Sequence, residues 1–178
     1  FADVTTSEIR SFDSVYGDNA TLFLYITILV AMVAMAAFAI VKAGRYGVVN
    51  LYTMLSYFIV TALCFAFITE GVFEVSLGTA FIFLAGLVLT NVLNAHVYSA
   101  IKAEFNLGKT VESSVKGGYK KTLLGIVDIY AVLLLGGIAL LIGGAGLHTF
   151  AAQALICIVT GAYINLLWAR VINYIFLS

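Results

Sequence analysis

Long runs of apolar residues, separated by short polar connectors, make up most of this chain. Five runs can be distinguished, at about 22–41, 51–69, 77–101, 122–142 and 148–176. An α-helix rises 1.5 Å per residue, so a helix of about 20 apolar residues crosses the hydrocarbon core of a bilayer. Each run reaches that length or comes within a residue of it. The pattern therefore predicts an all-α membrane protein in which five transmembrane helices form one domain over residues 1–178.

Charge in the connectors predicts how these helices are oriented. The second connector holds Glu70 and Glu74, and the fourth holds no Lys or Arg. Eight of the nine basic residues lie on the other side, in the first and third connectors or in the last turns of the fifth run: Lys42, Arg45, Lys102, Lys109, Lys116, Lys120, Lys121 and Arg170. Because Lys and Arg concentrate in cytoplasmic connectors, we expect the N-terminus outside and the C-terminus in the cytosol.

The third connector has a helical pattern of its own. Phe105, Val111 and Val115 recur at roughly helical spacing among Lys and Ser residues. This spacing predicts a short cytosolic segment, at about 105–120, that lies along the membrane interface.

Composition narrows the class further. The chain is 63% hydrophobic and 10% charged, with a formal net charge of zero. This composition excludes a nucleic-acid-binding protein and makes the lipid bilayer the first expected partner. The sequence contains no nucleophile motif, no phosphate-binding loop, no cofactor motif and no metal-ligand spacing, so we predict neither an enzyme nor a cofactor or metal site.

The opening segment is polar and acidic, and it lacks the basic stretch and short apolar core of a signal peptide. An N-terminus outside the membrane then needs another means of delivery. We expect a preceding transmembrane helix and an external domain upstream.

One carboxylate lies within a predicted span. An acid at the centre of a membrane helix costs roughly 2.5–3.5 kcal/mol, and Asp128 lies about 10 Å deep from the basic end. Asn91 and Asn94 on the third span, and Asn165 on the fifth, lie at a similar depth; Tyr98 shares a helix face with the first two, at i, i+3 and i+7. One hypothesis is a hydrated proton path that ends at Asp128, facing the bundle interior. The other is a set of polar contacts that only fixes the register of the helices.

The stretch around this acid resembles a known family. GYKKTLLGIVD, from Gly118 to Asp128, is similar to the Gly-Phe-Lys-Arg-Ala-Leu-x-x-Ile-x-Asp that begins a membrane helix of SecD, in the SecD/SecF family of the resistance-nodulation-division (RND) superfamily. Weaker matches follow the family order over nearly the whole chain: YGDNATL, GRYGVVN, VSLGTAF, IKAEF and LHTFAAQALICIVTGAY.

The resemblance implies five of the six helices of half an RND-type transmembrane domain. It also implies a SecF-like half or subunit, the SecY translocon complex and a secreted polypeptide as partners, in the bacterial plasma membrane, with the proton gradient as driving force. The family's Asp-Ala-Asn falls on Val92, Leu93 and Asn94, so the amide is kept and the carboxylate is replaced by Val92. Asp128 is the remaining match to a family acid.

Two other functions stay open. The chain could belong to a transporter of small solutes or lipids in the same superfamily, or it could be a noncatalytic scaffold subunit. Proton dependence distinguishes the scaffold from the other two.

Overall fold

The computed structural model of the chain describes residues 20–68, 77–143 and 148–177, which are almost entirely helical and contain no strand. Five of the helical segments are long and apolar enough to cross a membrane. The predicted all-α bundle is thus confirmed, and the chain is a multi-pass membrane protein. The elements are α1 (Ala20–Ala43), α2 (Arg45–Ile68), α3 (Leu77–Asn106), α4 (Val111–Gly143), α5 (His148–Tyr163), a π-helical turn (Ile164–Trp168) and α6 (Ala169–Leu177).

Two glycines make the turns at the basic end of the bundle. Gly44 alone separates α1 from α2 and has a φ of 58°, and Gly108, between α3 and α4, has a φ of 82°. A left-handed conformation is unfavourable for residues with a Cβ atom, so glycine is suited to ending a helix there. The antiparallel pairs α1–α2 and α3–α4 consequently have very short connections.

The residues of the predicted interfacial segment, 105–120, do not form a separate helix in the structure. Its first two residues complete α3, and residues 111–120 form the first turns of α4. Thr110 caps α4, because the Ser113 N–H donates to the Thr110 hydroxyl at 3.4 Å. Val115 packs in the buried cluster with residues of α3. Burial against α3 thus accounts for Val115, whereas Phe105 is 50% exposed.

Together, α5, the π-helical turn and α6 form one continuous segment, which we call the last helix. The last helix packs against α2, α3 and α4, and α1 packs against α2 and α3. Two buried clusters result. One joins α1, α2, α3 and the last helix through Ile28, Met32, Met54, Tyr57, Phe65, Phe83, Leu87, Cys157 and Ile164. The other fills the α3–α4 hairpin with Leu93, Val97, Ile101, Val115, Tyr119, Ile126 and Tyr130.

A small residue sets the closest approach in the α3–α4 hairpin. A Cβ atom on Gly118 would lie 2.8 Å from the backbone nitrogen of Ile101 and 2.9 Å from its Cα. By contrast, a Cβ atom on Gly125, seven residues further along the same helix, would meet nothing within 4 Å. Close packing of membrane helices commonly depends on residues such as Gly118.

These two glycines form a matched pair for a stability test. We expect Gly118→Ala to lower the free energy of unfolding by about 1–3 kcal/mol, because the backbones of α3 and α4 must move apart. Gly125→Ala should leave it unchanged or raise it by up to about 1 kcal/mol, since alanine favours the helix and meets no obstacle. Unfolding of both variants in the same detergent measures the difference. Equal stability of the two variants would contradict the close approach.

Candidate functional site

Asn50, on α2, links two of the predicted site residues. Its Nδ2 donates to the Oδ1 of Asn91 at 2.6 Å, and the Nδ2 of Asn94 donates to its Oδ1 at 2.9 Å. The ring of Tyr98 lies against the ring of Tyr46, with centroids 4.0 Å apart. Asn91, Asn94 and Tyr98 therefore share one face of α3, and this face is directed at the beginning of α2.

A cavity of about 220 Å³ lies beside these side chains. Its walls come from the end of α1, the beginning of α2, the middle of α3 and Asn173 of α6. Asn91, Asn94 and Tyr98 all line it, as does Lys42. The predicted polar face thus borders a space at the basic end of the bundle.

Asn165 forms a second polar contact deeper in the bundle. Its Nδ2 donates to the Tyr130 hydroxyl at 2.7 Å, to the Gly161 carbonyl at 2.9 Å and to the Thr90 hydroxyl at 3.2 Å. Asn165 belongs to the π-helical turn, a distortion that is frequent at functional sites. Its side chain joins the last helix to α3 and α4, and it is 2% exposed.

Further polar pairs continue toward the opposite end of the bundle. The hydroxyls of Thr61 and Thr160 are 3.0 Å apart, and the Thr79 hydroxyl donates to Gln153 at 2.8 Å. From Asn94 to Thr79 these contacts follow 15 residues of α3, a distance of about 22 Å. Along this column, the buried polar groups of the described chain are amides and hydroxyls, none of which carries a charge at neutral pH.

Asp128 is not part of this column. It is exposed on α4 and makes no hydrogen bond or ion pair with the described residues. The hypothesis that it faces the interior of this bundle therefore does not agree with the structure. Successive helical residues are rotated by about 100°, so Ile126 and Tyr130 are directed inward, on the side of α4 opposite to Asp128.

The depth of Asp128 nevertheless matches that of the asparagines. Gly118 lies against Ile101 in the antiparallel hairpin, so ten residues further on, Asp128 is level with Asn91 and its neighbour Val92. Val92, at the position where the resemblance expects a carboxylate, is 56% exposed. Both positions that the resemblance assigns to acids lie on exposed helix surfaces at one depth.

The surface around Asp128 is apolar. The residues on the same side of α4 are strongly exposed: Leu124 at 73%, Val132 at 68% and Leu135 at 68%. We call the exposed stripe formed by Leu124, Gly125, Asp128, Val132 and Leu135 the acidic face of α4. Such a surface is compatible with contact with lipid, apart from its one carboxylate.

Sequence reasoning missed a buried acid as well as Asn50. Glu104 is 1% exposed and forms ion pairs with Lys109 and Lys121, which join the end of α3 to α4. Glu104 falls outside the predicted third span, because the apolar run ends at Ile101 while the helix continues to Asn106. Lys121 lies 17 residues from Glu104, so its spacing in sequence gave no sign of the pair.

Within the described residues, no group of three His, Cys, Asp or Glu side chains is arranged to hold a metal ion. In comparisons with known proteins, no family model matches the chain and no curated protein matches it.

The buried polar column provides a second stability test. Tyr57 and Asn165 each carry a buried oxygen that lacks a hydrogen-bond partner in the described chain, but only Asn165 also donates to three acceptors. We expect Asn165→Leu to lower the free energy of unfolding by about 1–3 kcal/mol, because it leaves buried hydroxyls unpaired. Tyr57→Phe removes an unpaired hydroxyl and should change stability by less than about 0.5 kcal/mol or increase it. Unfolding in one detergent compares the two, and a larger loss for Tyr57→Phe would contradict this assignment.

Proposed function

We propose that the chain is the membrane part of a SecD-like subunit of the bacterial protein-export machinery. In this proposal it assembles in the plasma membrane with a SecF-like half through the acidic face of α4. Together with the SecY translocon complex, it uses the proton gradient to assist the translocation of secreted polypeptides. The observation that carries the proposal is the position of Asp128, an unpartnered carboxylate on an exposed apolar helix surface.

A charged carboxylate exposed to hydrocarbon is unfavourable, and such groups normally face a partner or a water-filled space. No residue of the described chain provides a partner for Asp128. A second membrane domain on the acidic face would bury Asp128 in a protein interface, and it could supply the polar groups that the ionised form requires. The protonated form needs far less stabilisation, because it is neutral.

This difference between the two forms suggests how protons could be coupled to movement. Taking up a proton at Asp128 changes the free energy of the interface, and so favours one relative position of the two halves over another. The column inside the bundle contains only neutral groups, which do not titrate near neutral pH. In this proposal the five-helix bundle moves as a unit, and the titrating group lies at its boundary.

The second candidate function is that of a noncatalytic scaffold. It is favoured by Val92, because an exposed apolar residue stands where the resemblance expects a carboxylate. With Val92 in place of the family carboxylate, the described surface level with Asn91 has Asp128 as its one acid. A scaffold would use Asp128 as a hydrogen-bonding group in a fixed interface. In that case its charge state would not matter for export.

Replacement of Asp128 by Asn distinguishes these two functions. Asparagine keeps the shape but cannot release a proton, so we expect Asp128→Asn to lose the gradient-dependent part of export and keep the gradient-independent part. Export of a secreted protein into membrane vesicles, with and without an imposed proton gradient, measures both parts. Asp128→Glu should keep at least part of the gradient dependence.

Val132→Asn is the matched control, because it adds the same amide one turn away on the acidic face and leaves the acid in place. It should retain gradient-dependent export. Unchanged gradient dependence in a normally expressed Asp128→Asn protein would contradict proton coupling and support the scaffold.

A further inference from the structure

We propose that the cavity at the basic end of the bundle binds the headgroup of an anionic phospholipid whose headgroup carries hydroxyl groups. This site is separate from the acidic face of α4 and does not depend on the proposed export function. Its residues lie at the junction of α1, α2, α3 and α6.

The charge of the cavity favours an anion. Lys42 is the one charged residue among those that line it, and the lining includes no acid. Lys42 forms no ion pair with the described residues, and its ammonium group lies 5.8 Å from the centre of the Phe38 ring. An ammonium at the mouth of a largely apolar cavity would be favourably paired with a phosphate group.

The three asparagines add directed hydrogen-bond donors. Asn94 donates to Asn50, and Asn50 donates to Asn91, so the chain of amides ends at the Nδ2 of Asn91. An amide that accepts a hydrogen bond at its oxygen becomes a stronger donor at its nitrogen. The Asn91 Nδ2 has no acceptor in the described chain, and Asn91 is one of the residues that line the cavity, where a phosphate oxygen could accept from it.

Two asparagines of the cavity lining have amide oxygens that can accept hydrogen bonds, which is why we propose a ligand with hydroxyl groups. Asn94 uses its nitrogen on Asn50, and Asn173 uses its nitrogen on the Tyr119 hydroxyl and the Ala169 carbonyl. Their Oδ1 atoms accept no hydrogen bond from the described residues. A glycerol headgroup has hydroxyl donors for these oxygens, whereas a choline headgroup has none.

The apolar part of the lining favours a lipid over a soluble anion. Phe38 and Ala39 belong to the cavity wall, and Phe38 is 65% exposed on the outer surface of α1. Val41, on the same helix, is 85% exposed. An acyl chain could leave the cavity along this apolar surface, and its burial would add to the binding of the headgroup.

Lipid binding to the purified full chain tests the site. The chain would be extracted in a mild detergent and titrated with phosphatidylglycerol or phosphatidylcholine, and the bound lipids would be counted by native mass spectrometry. We expect one phosphatidylglycerol to bind at least about tenfold more tightly than phosphatidylcholine. Free glycerol 3-phosphate at millimolar concentration should not displace it.

Two variants probe the donors. Lys42→Gln removes the cation from an exposed position, and Asn91→Asp can still accept the hydrogen bond from Asn50 while it places a negative charge in the cavity. Both should weaken phosphatidylglycerol binding by about tenfold or more. Lys102→Gln is the matched control, because Lys102 is an exposed basic residue near the same end but not in the cavity lining. It should bind the lipid as the original chain does.

The proposal is overturned if both lipids bind equally, or if Lys42→Gln and Lys102→Gln have the same effect. Displacement by glycerol 3-phosphate would replace the lipid by a soluble anion as the ligand and would likewise overturn it. Lys42 is exposed, so loss of folding in Asn91→Asp would still leave the Lys42→Gln comparison to decide the outcome.

Discussion

The hydrocarbon core of a bilayer offers no hydrogen-bond partner to a polar group, and the arrangement of polar residues in this chain follows from that constraint. Inside the bundle, amides and hydroxyls on different helices satisfy one another. Asn50 forms hydrogen bonds with both Asn91 and Asn94, and Asn165 donates to Thr90 and Tyr130. Each such contact fixes the rotation and depth of the helices that it joins. Asp128 is an exception, because the described residues give this charged side chain no hydrogen-bond or ion-pair partner.

This exception has a simple geometric cause. Ile126 and Tyr130 lie on the side of α4 that is directed into the bundle. Asp128 is two positions from each of them, and residues two positions apart on a helix lie on nearly opposite sides. For Asp128 to enter the column of polar contacts, α4 would have to turn by roughly half a rotation. That rotation would expose Tyr130, which accepts a hydrogen bond from Asn165 within the column, and would move Gly118 away from Ile101. The packing of the α3–α4 hairpin therefore holds Asp128 on the surface.

The sequence was sufficient to predict the five spans, because length and apolarity alone decide whether a helix can cross a membrane. It also predicted that Asn91, Asn94 and Tyr98 share a face, since that relation depends only on spacing within one helix. It could not predict the partners Asn50 and Tyr46, because contacts between helices are not encoded in spacing. The direction of Asp128 was beyond reach for a related reason: α4 is apolar on nearly every side, so its pattern does not distinguish a buried face from one that meets lipid.

The sequence pattern also failed to predict the burial of Glu104, which lies just beyond the end of the third apolar run. Hydropathy ends the third run at Ile101, but the helix continues, and a glycine at position 117 lets α4 lie close against the Glu104 side chain. Lys109 and Lys121 then neutralise an acid that water no longer reaches. The same end of the bundle contains the cavity with Lys42 and the asparagines. Lys109 and Lys121, which sequence analysis used only to orient the helices, thus also hold the end of α3 against α4.

In the proposed assembly, the acidic face of α4 is bare in the chain alone and becomes covered when a partner binds to it. A nitroxide label at Leu124→Cys, in a chain whose native cysteines are replaced by alanine, reports this directly through its collision rate with oxygen in lipid. Val33→Cys on α1, which is 53% exposed, is the reference position. In liposomes that contain the chain alone, both labels should be freely accessible to oxygen, and in membranes with the assembled complex only the label at 124 should become protected. A label at 124 that is already protected in the chain alone, or that stays as accessible as the label at 33 in the complex, would contradict the account.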